Sequence, residues 1–288
     1  MSFSEIVLGT VQFGMPYGLN RTLMTEAAVF RILDRAWEMG IRRLDTARGY
    51  GLAEERLGAW LARHPDRDPE IVTKFPDGAA ASVTKSVDTS LALLGRDRVH
   101  GLLAHDPATL TRPGLIDALA AYRDRVHAFG ASVYDVTAAR RTAELIDGAV
   151  LIQAPANPYD TRFADSGFPD ASTDTRVVYR SIYLQGIIGL SPERLPAHLQ
   201  ALRPAQEILH RAAADMAIGP HAFAIAYVRH RLGLRDLVFG IAEPGHLDAL
   251  AEGLAVPAPS SAIETAIRQA LISVPDAAID PRVWPKTQ

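Results

Sequence analysis

Four ionisable residues stand at or just beyond the ends of short apolar runs. Asp45 closes IRRLD, Tyr50 follows in the same loop, Lys74 closes EIVTK and His105 follows GLLA. Together they offer one chemistry. A phenol can hand a proton to an oxygen on which negative charge develops, but its ordinary pKa near 10 is too high for easy participation at neutral pH. An adjacent ammonium favours the phenolate, and a buried ammonium needs a counter-charge such as a carboxylate. An imidazole can donate a hydrogen bond and orient the reacting group. Taken singly, each residue has an ordinary structural role: a strand-end Asp caps the next helix, a lone Tyr joins a core, a lone His is a loop residue. Lys74 stands out because, apart from Lys85 and Lys286, the cationic side chains are Arg. Only Lys presents a compact ammonium with a movable pKa.

Residues so far apart in sequence need a scaffold that brings run ends to one place. Runs rich in Val, Ile and Leu at 5–8, 42–45, 71–74, 99–103, 128–131, 149–153, 177–182 and 237–239 read as strands buried on both faces. Helical periodicity lies between them at 25–39, 53–62, 83–94, 115–125, 136–145, 205–216 and 247–254, with further helices expected at 221–231 and 262–272. Thr25 and Gly40 suit the two ends of the first of these. The segment 157–174, polar and punctuated by Gly and Pro, reads as a long loop holding at most a short helix. The alternation predicts a single parallel (β/α)8 TIM barrel spanning 1–288, with extra helices near the C-terminus. In such a barrel the polar residues after each strand share one mouth, where active sites are built.

Composition narrows the partner. The chain lacks Cys, so thiolate nucleophiles and Cys-ligated metals are excluded, and chemistry on oxygen and nitrogen groups without a metal is expected. A net charge of −3 with no basic cluster argues against nucleic acid, and no long apolar run suggests a membrane span. MSFSEIVLGT has no basic region followed by an apolar stretch, so no secretory signal is read and a cytoplasmic location is expected. A small molecule is the default partner.

In order and spacing, Asp45, Tyr50, Lys74 and His105 resemble the catalytic tetrad of the aldo-keto reductases. LGTVQFG, LDTARGYGLAEERLG, VTKF, LLAHDP, GASVYD, IQAPANPYD, YRSIYLQGII and FGIAEPGHL carry the resemblance along nearly the whole chain. LGTVQFG, NPYDTR and RSIYLQG look like a bacterial branch linked to sugar and nucleotide-sugar metabolism. The resemblance implies NADP or NAD as cofactor, its reduced form supplying hydride, and a small carbonyl compound as substrate. It places Gly9 and Thr10 beside the cofactor. Ser132 and Gln153 are to hold the nicotinamide carboxamide, and Ser181, Leu184, Gln185 and Gly186 the pyrophosphate. The segment from Gly240 to His246, including Glu243, is to meet the adenosine end. Gln12, Arg48 and His105, with the Asp160/Arg162 pair, are candidates for a polar substrate mouth.

Three positions depart from the family pattern. Val133 stands where Asn usually follows the Ser, and Arg180 stands where an aromatic usually covers the nicotinamide face. IAEPGHL lacks the Lys or Arg that normally grips a 2′-phosphate. The expected activity is reduction of an aldehyde or ketone. Alternatives left open are an NAD-linked sugar dehydrogenase and a cofactor-binding regulatory barrel with little turnover.

Overall fold

A computed structural model describes residues 3–17, 22–170 and 174–285. Eight apolar runs form parallel strands: β1 (Ile6–Gly9), β2 (Arg43–Asp45), β3 (Glu70–Phe75), β4 (Val99–Ala104), β5 (Val126–Ser132), β6 (Val150–Pro155), β7 (Thr175–Arg180) and β8 (Leu237–Gly240). Each pairs with its sequence neighbours, and β1 pairs with β8 from Ile6↔Leu237 to Gly9↔Gly240, closing the barrel. Around it run α1 (Val11–Gly14), α2 (Glu26–Glu38), α3 (Ala53–Arg63), α4 (Ala80–Leu94), α5 (Leu115–Ala120), α6 (Val136–Leu145), α7 (Arg162–Asp165), α8 (Arg203–Asp215), α9 (Pro220–Ala226), α10 (Gly245–Ala255) and α11 (Ser261–Leu271). No described helix is long and apolar enough to cross a membrane.

The two-residue period of a strand decides what faces the barrel axis. Val7, Val72, Leu103, Ala128, Leu151, Val178 and Val238 pack together inside the barrel as an apolar ring. Outward-facing neighbours such as Ile152, Ala154 and Tyr179 join the larger core between strands and helices. Two residues beyond the ring, the inward positions become Gly9, Lys74, His105, Gly130, Gln153, Arg180 and Gly240. The register that fills the core therefore also gathers the polar residues at one mouth. A second apolar cluster, with Leu209, Phe223, Tyr227 and Ile267, joins α8, α9 and α11 to the chain after β7.

Thr25 caps α2, its hydroxyl accepting from the Ala28 amide at 3.3 Å, and Gly40 ends it at φ +92°. Several expected boundaries shift: α4 begins at Ala80 rather than 83 and β5 at Val126 rather than 128. The helix expected over 115–125 stops at Ala120, because Tyr122 turns inward and its hydroxyl donates to Asp88 at 3.0 Å and to the Thr84 carbonyl at 3.2 Å. β7 stops at Arg180 instead of residue 182, since Ser181 adopts φ 63°. The helical stretch over 221–231 is α9 followed by a π-helical turn at Tyr227–Arg231. Within 157–174, Asn157 bridges Asp160 and α7 is the short helix; residues 171–173 lie outside the described ones.

Candidate active site

Lys74 projects from the end of β3 and has no solvent-exposed side-chain surface. Its Nζ donates to Asp45 Oδ1 and Oδ2 at 2.7 and 2.8 Å, to the Thr46 carbonyl at 2.9 Å and to the Tyr50 hydroxyl at 3.5 Å. Burial opposes the ammonium, but the charges and hydrogen bonds of Asp45 and Tyr50 outweigh it and hold the Lys74 pKa above its ordinary value. The Tyr50 phenol is also raised, by burial first; the Lys74 charge pulls the other way. From the far side of the barrel, Gln153 Nε2 donates to Asp45 Oδ1 at 2.7 Å.

The loop that carries Tyr50 is set by close packing. The β1–α1 segment crosses it so tightly that a Cβ on Gly14 would lie 1.7 Å from the Tyr50 carbonyl oxygen, so only glycine fits. Arg48 bonds to the buried Glu54 in α3, whose other oxygen accepts from the Thr73 hydroxyl at 2.6 Å. Arg48 thus braces the loop from below. Asp160 is buried and held by Arg162 at 2.8 Å.

His105 stands at the open mouth with its ring edge-on to Tyr50, centroids 5.8 Å apart. One side of the ring meets solvent. The protein around the other side, with the charges of Lys74 and Arg180, pushes its pKa down to about 4. At neutral pH the imidazole is uncharged.

Above these groups opens a cavity of about 340 Å³, within the range of small-molecule sites. Its wall includes Gly9, Thr10 and Gln12 from the β1 side, Asp45, Tyr50 and Gln153 at the floor, and Arg180, Ser181, Gln185 and Gly186 beyond β7. Gly240 and His246 continue it past β8. Ser132, Leu184, Arg48, His105 and Glu243 do not line it: Ser132 accepts from Arg180 Nε at 3.2 Å and Leu184 is buried in the second core cluster. Tyr183, an aromatic neighbour in sequence of the Arg180 stacking position, lines it, and so do Tyr17 and His221, which had not stood out in the sequence. Tyr183 packs edge-on to His221 at 4.7 Å, a contact between distant segments that no local pattern announces.

The wall suits a dinucleotide. Gln12 Oε1 is buried without a hydrogen-bond partner, an acceptor waiting for a ligand donor. The Gln12 amide lies close over Gly240, 2.8 Å from where a Cβ would stand. After β7, Ser181, Leu184, Gln185 and Gly186 all have positive φ. Such geometry costs about 1–3 kcal/mol at each non-Gly residue and survives where surroundings enforce it. Asn157 Nδ2 donates to the Ser181 carbonyl at 3.3 Å, and the buried Gln206 amide donates to the Ile187, Ile188 and Leu190 carbonyls. At the far end, Glu243 lies 3.2 Å from His246, which also accepts from the Ala242 amide. Arg235 precedes β8 at the opposite end of the barrel and meets Glu5 at 3.5 Å.

A closed eight-stranded barrel with a buried Lys–Asp pair, a tyrosine and a cavity at the carboxyl ends of its strands has the build of a barrel enzyme. The family model described as Aldo/keto reductase family matches residues 5–265, and the chain belongs to that family of oxidoreductases, whose members act on small carbonyl compounds and generally use NADP(H). Norsolorinic acid reductase stcV of Emericella nidulans is 32% identical over 121 residues, 35% of this chain and 31% of that protein. Norsolorinic acid reductase B of Aspergillus parasiticus is 30% identical over 136 residues, 40% of this chain and 36% of that protein. The matched segments thus span about a third of these relatives. Among solved structures, the glycerol dehydrogenase AKR11B4 from Gluconobacter oxydans superposes with a TM-score of 0.74 at 20% identity, over 96% of this chain and 94% of that one. The thermostable aldo-keto reductase Tm1743, in complex with the inhibitor epalrestat, gives 0.71 at 17% identity over 92% and 94%. At these identities the superpositions speak for the fold.

Proposed function

We propose that this protein reduces an aldehyde or ketone to the alcohol with a reduced nicotinamide cofactor, and that Tyr50 supplies the proton. The observation that carries the reading is the chain Asp45–Lys74–Tyr50 beneath the cavity, its phenol 3.5 Å from a buried ammonium. The bound nicotinamide supplies hydride to the carbonyl carbon. Tyr50 gives its proton to the carbonyl oxygen, and Lys74 stabilises the phenolate left behind. Asp45 fixes the ammonium and offsets its burial. The neutral His105 orients the carbonyl by hydrogen bonding, acting as a dipole rather than a charge. Gln153 would hold the nicotinamide carboxamide, and the backbone amides of the strained turn after β7, in left-handed geometry that suits anions, would hold the phosphates.

The test is steady oxidation of NADPH or NADH by the purified protein across a panel of aldehydes, ketones and sugars. Turnover that falls by roughly two or more orders of magnitude in Tyr50→Phe, with cofactor binding retained, supports the reading, since that is the scale of general acid catalysis. Near wild-type turnover in Tyr50→Phe would remove Tyr50 from the role.

A further inference from the structure

Among the described residues of the cavity wall, Arg180 is an inward-facing cation with no carboxylate partner. Its guanidinium donates to Ser132 Oγ at 3.2 Å, Ser181 Oγ at 3.3 Å and the Val133 carbonyl at 2.9 Å, all uncharged acceptors. It lies over the Tyr134 ring at 4.1 Å, and Arg282 covers that ring at 3.8 Å. Arg48, Arg162 and Arg282 each have a carboxylate, respectively Glu54, Asp160 and Asp280. Among the described residues no carboxylate pairs with Arg180. Asp45 is the carboxylate in the cavity wall, and Lys74 already neutralises it. The site therefore carries one net positive charge, held in a fixed place by three hydrogen bonds and a ring. Its field reaches the reacting groups, for the Arg180 charge lowers the pKa of both Tyr50 and His105.

This has a direction once carbonyl reduction at Tyr50 is accepted, and the inference rests on that reading. Hydride transfer needs the nicotinamide ring within about 3–3.5 Å of the carbon whose oxygen faces Tyr50, so the ring must occupy the part of the cavity walled by Gln153 and Arg180. Reduced nicotinamide is neutral in its ring; the oxidised ring carries a positive charge. We propose that Arg180 is an electrostatic determinant of cofactor redox state: its unpaired guanidinium disfavours the oxidised, cationic ring and biases the site toward the reduced cofactor and toward reduction of the carbonyl. Hydride, a proton with two electrons, leaves the reduced ring for the carbonyl carbon, and the Tyr50 proton completes the alcohol. The Arg180 charge, which adds to that of Lys74 in favouring the phenolate, also opposes retention of the oxidised cofactor. Both effects pull in the direction of reduction and of release of the spent cofactor.

The experiment measures dissociation constants rather than turnover. NADPH and NADP+, and separately NADH and NAD+, are titrated into wild type, Arg180→Met and Arg180→Lys by calorimetry. The wild type is expected to bind the reduced member more tightly. Arg180→Met is expected to shift the ratio of oxidised to reduced constants about tenfold toward the oxidised form, equivalent to roughly 1.4 kcal/mol, and Arg180→Lys to restore most of the wild-type ratio. Equal or tighter binding of the oxidised member by wild type overturns the inference, whatever the variants do. Equal weakening of both members in Arg180→Met also overturns it, because a purely structural residue acts on both alike. If no nicotinamide binds the wild type at all, the proposed carbonyl reduction falls and takes the inference with it.

Discussion

Gln153 and Asp45, 108 residues apart in sequence and on strands from opposite sides of the barrel, are joined by a 2.7 Å hydrogen bond across the barrel interior. The Gln153 amide nitrogen is thereby committed to the carboxylate, and its oxygen is left for a ligand. Replacing it by Met keeps the volume but takes a donor from a buried charge. Hydrogen bonds to charged groups contribute about 1.5–3 kcal/mol, so Gln153→Met should melt at a lower temperature by that order and bind cofactor more weakly. Calorimetric unfolding together with cofactor titration checks both; unchanged melting would show that the bond contributes nothing to stability.

Breaking the Lys74–Asp45 pair strands a charge from either side. Asp45→Ala leaves a fully enclosed ammonium with one carbonyl acceptor, at a cost of about 3–5 kcal/mol. Lys74→Met leaves a carboxylate that still receives Gln153, and the smaller loss is expected there. The double replacement Asp45→Ala with Lys74→Met removes both charges and should recover much of the stability without recovering activity. Denaturant titration of the three variants decides it, non-additivity of the double being the signature.

His105 should stay neutral through the physiological range. Its pKa in the fold, pushed down to about 4, lies below the value near 6.5 of an unfolded chain. Between those values the unfolded chain takes up the proton first, so the contribution of this residue to stability is present above about pH 6.5 and is lost as pH falls toward 4. Proton resonances of the His105 ring followed by NMR should titrate below pH 6, in contrast to an exposed imidazole. A midpoint at 6.5 or above would show that solvent at the mouth cancels the nearby cations.

Beside His246, which lines the cavity beyond β8, stands the Glu243 carboxylate, where a 2′-phosphate would need cations. Glu243 sits against His246, and Arg235 is tied to Glu5 at the other end of the barrel. Weak discrimination, or a preference for the cofactor lacking the phosphate, is the expected outcome, since like charges repel and Glu243 can accept from a ribose hydroxyl. NADPH binding more than about a hundredfold tighter than NADH, roughly 2.7 kcal/mol, would contradict it. Glu243→Arg should move the preference toward NADPH.

The barrel was legible because inward and outward positions of its strands are both apolar, leaving short Val, Ile and Leu runs that end in polar residues. The proximity of Asp45 and Lys74 follows from that layout, for β2 and β3 are adjacent strands and Asp45 pairs with Val72, one inward position before Lys74. The rest depends on contacts that local sequence does not encode. The turn after β7 places Ser181, Leu184 and Gln185, none of them glycine, at positive φ, which residue type alone disfavours. It is held by Asn157 and Gln206 from other segments. Arg48 looked available for substrate, whereas the fold gives it to Glu54, a partnership visible only once α3 is docked. Tyr17 and His221 reach the cavity from segments whose local patterns named neither as a site residue.

The absence of a side chain at Gly14 has a consequence for ligand traffic. With the Tyr50 carbonyl seated against that residue, the segment carrying Thr10 and Gln12 is packed directly on the loop that carries Tyr50. The doorway therefore has one fixed jamb. The opposite side, from Ser181 to Gly189, is anchored separately, by Asn157 and Gln206 from other segments.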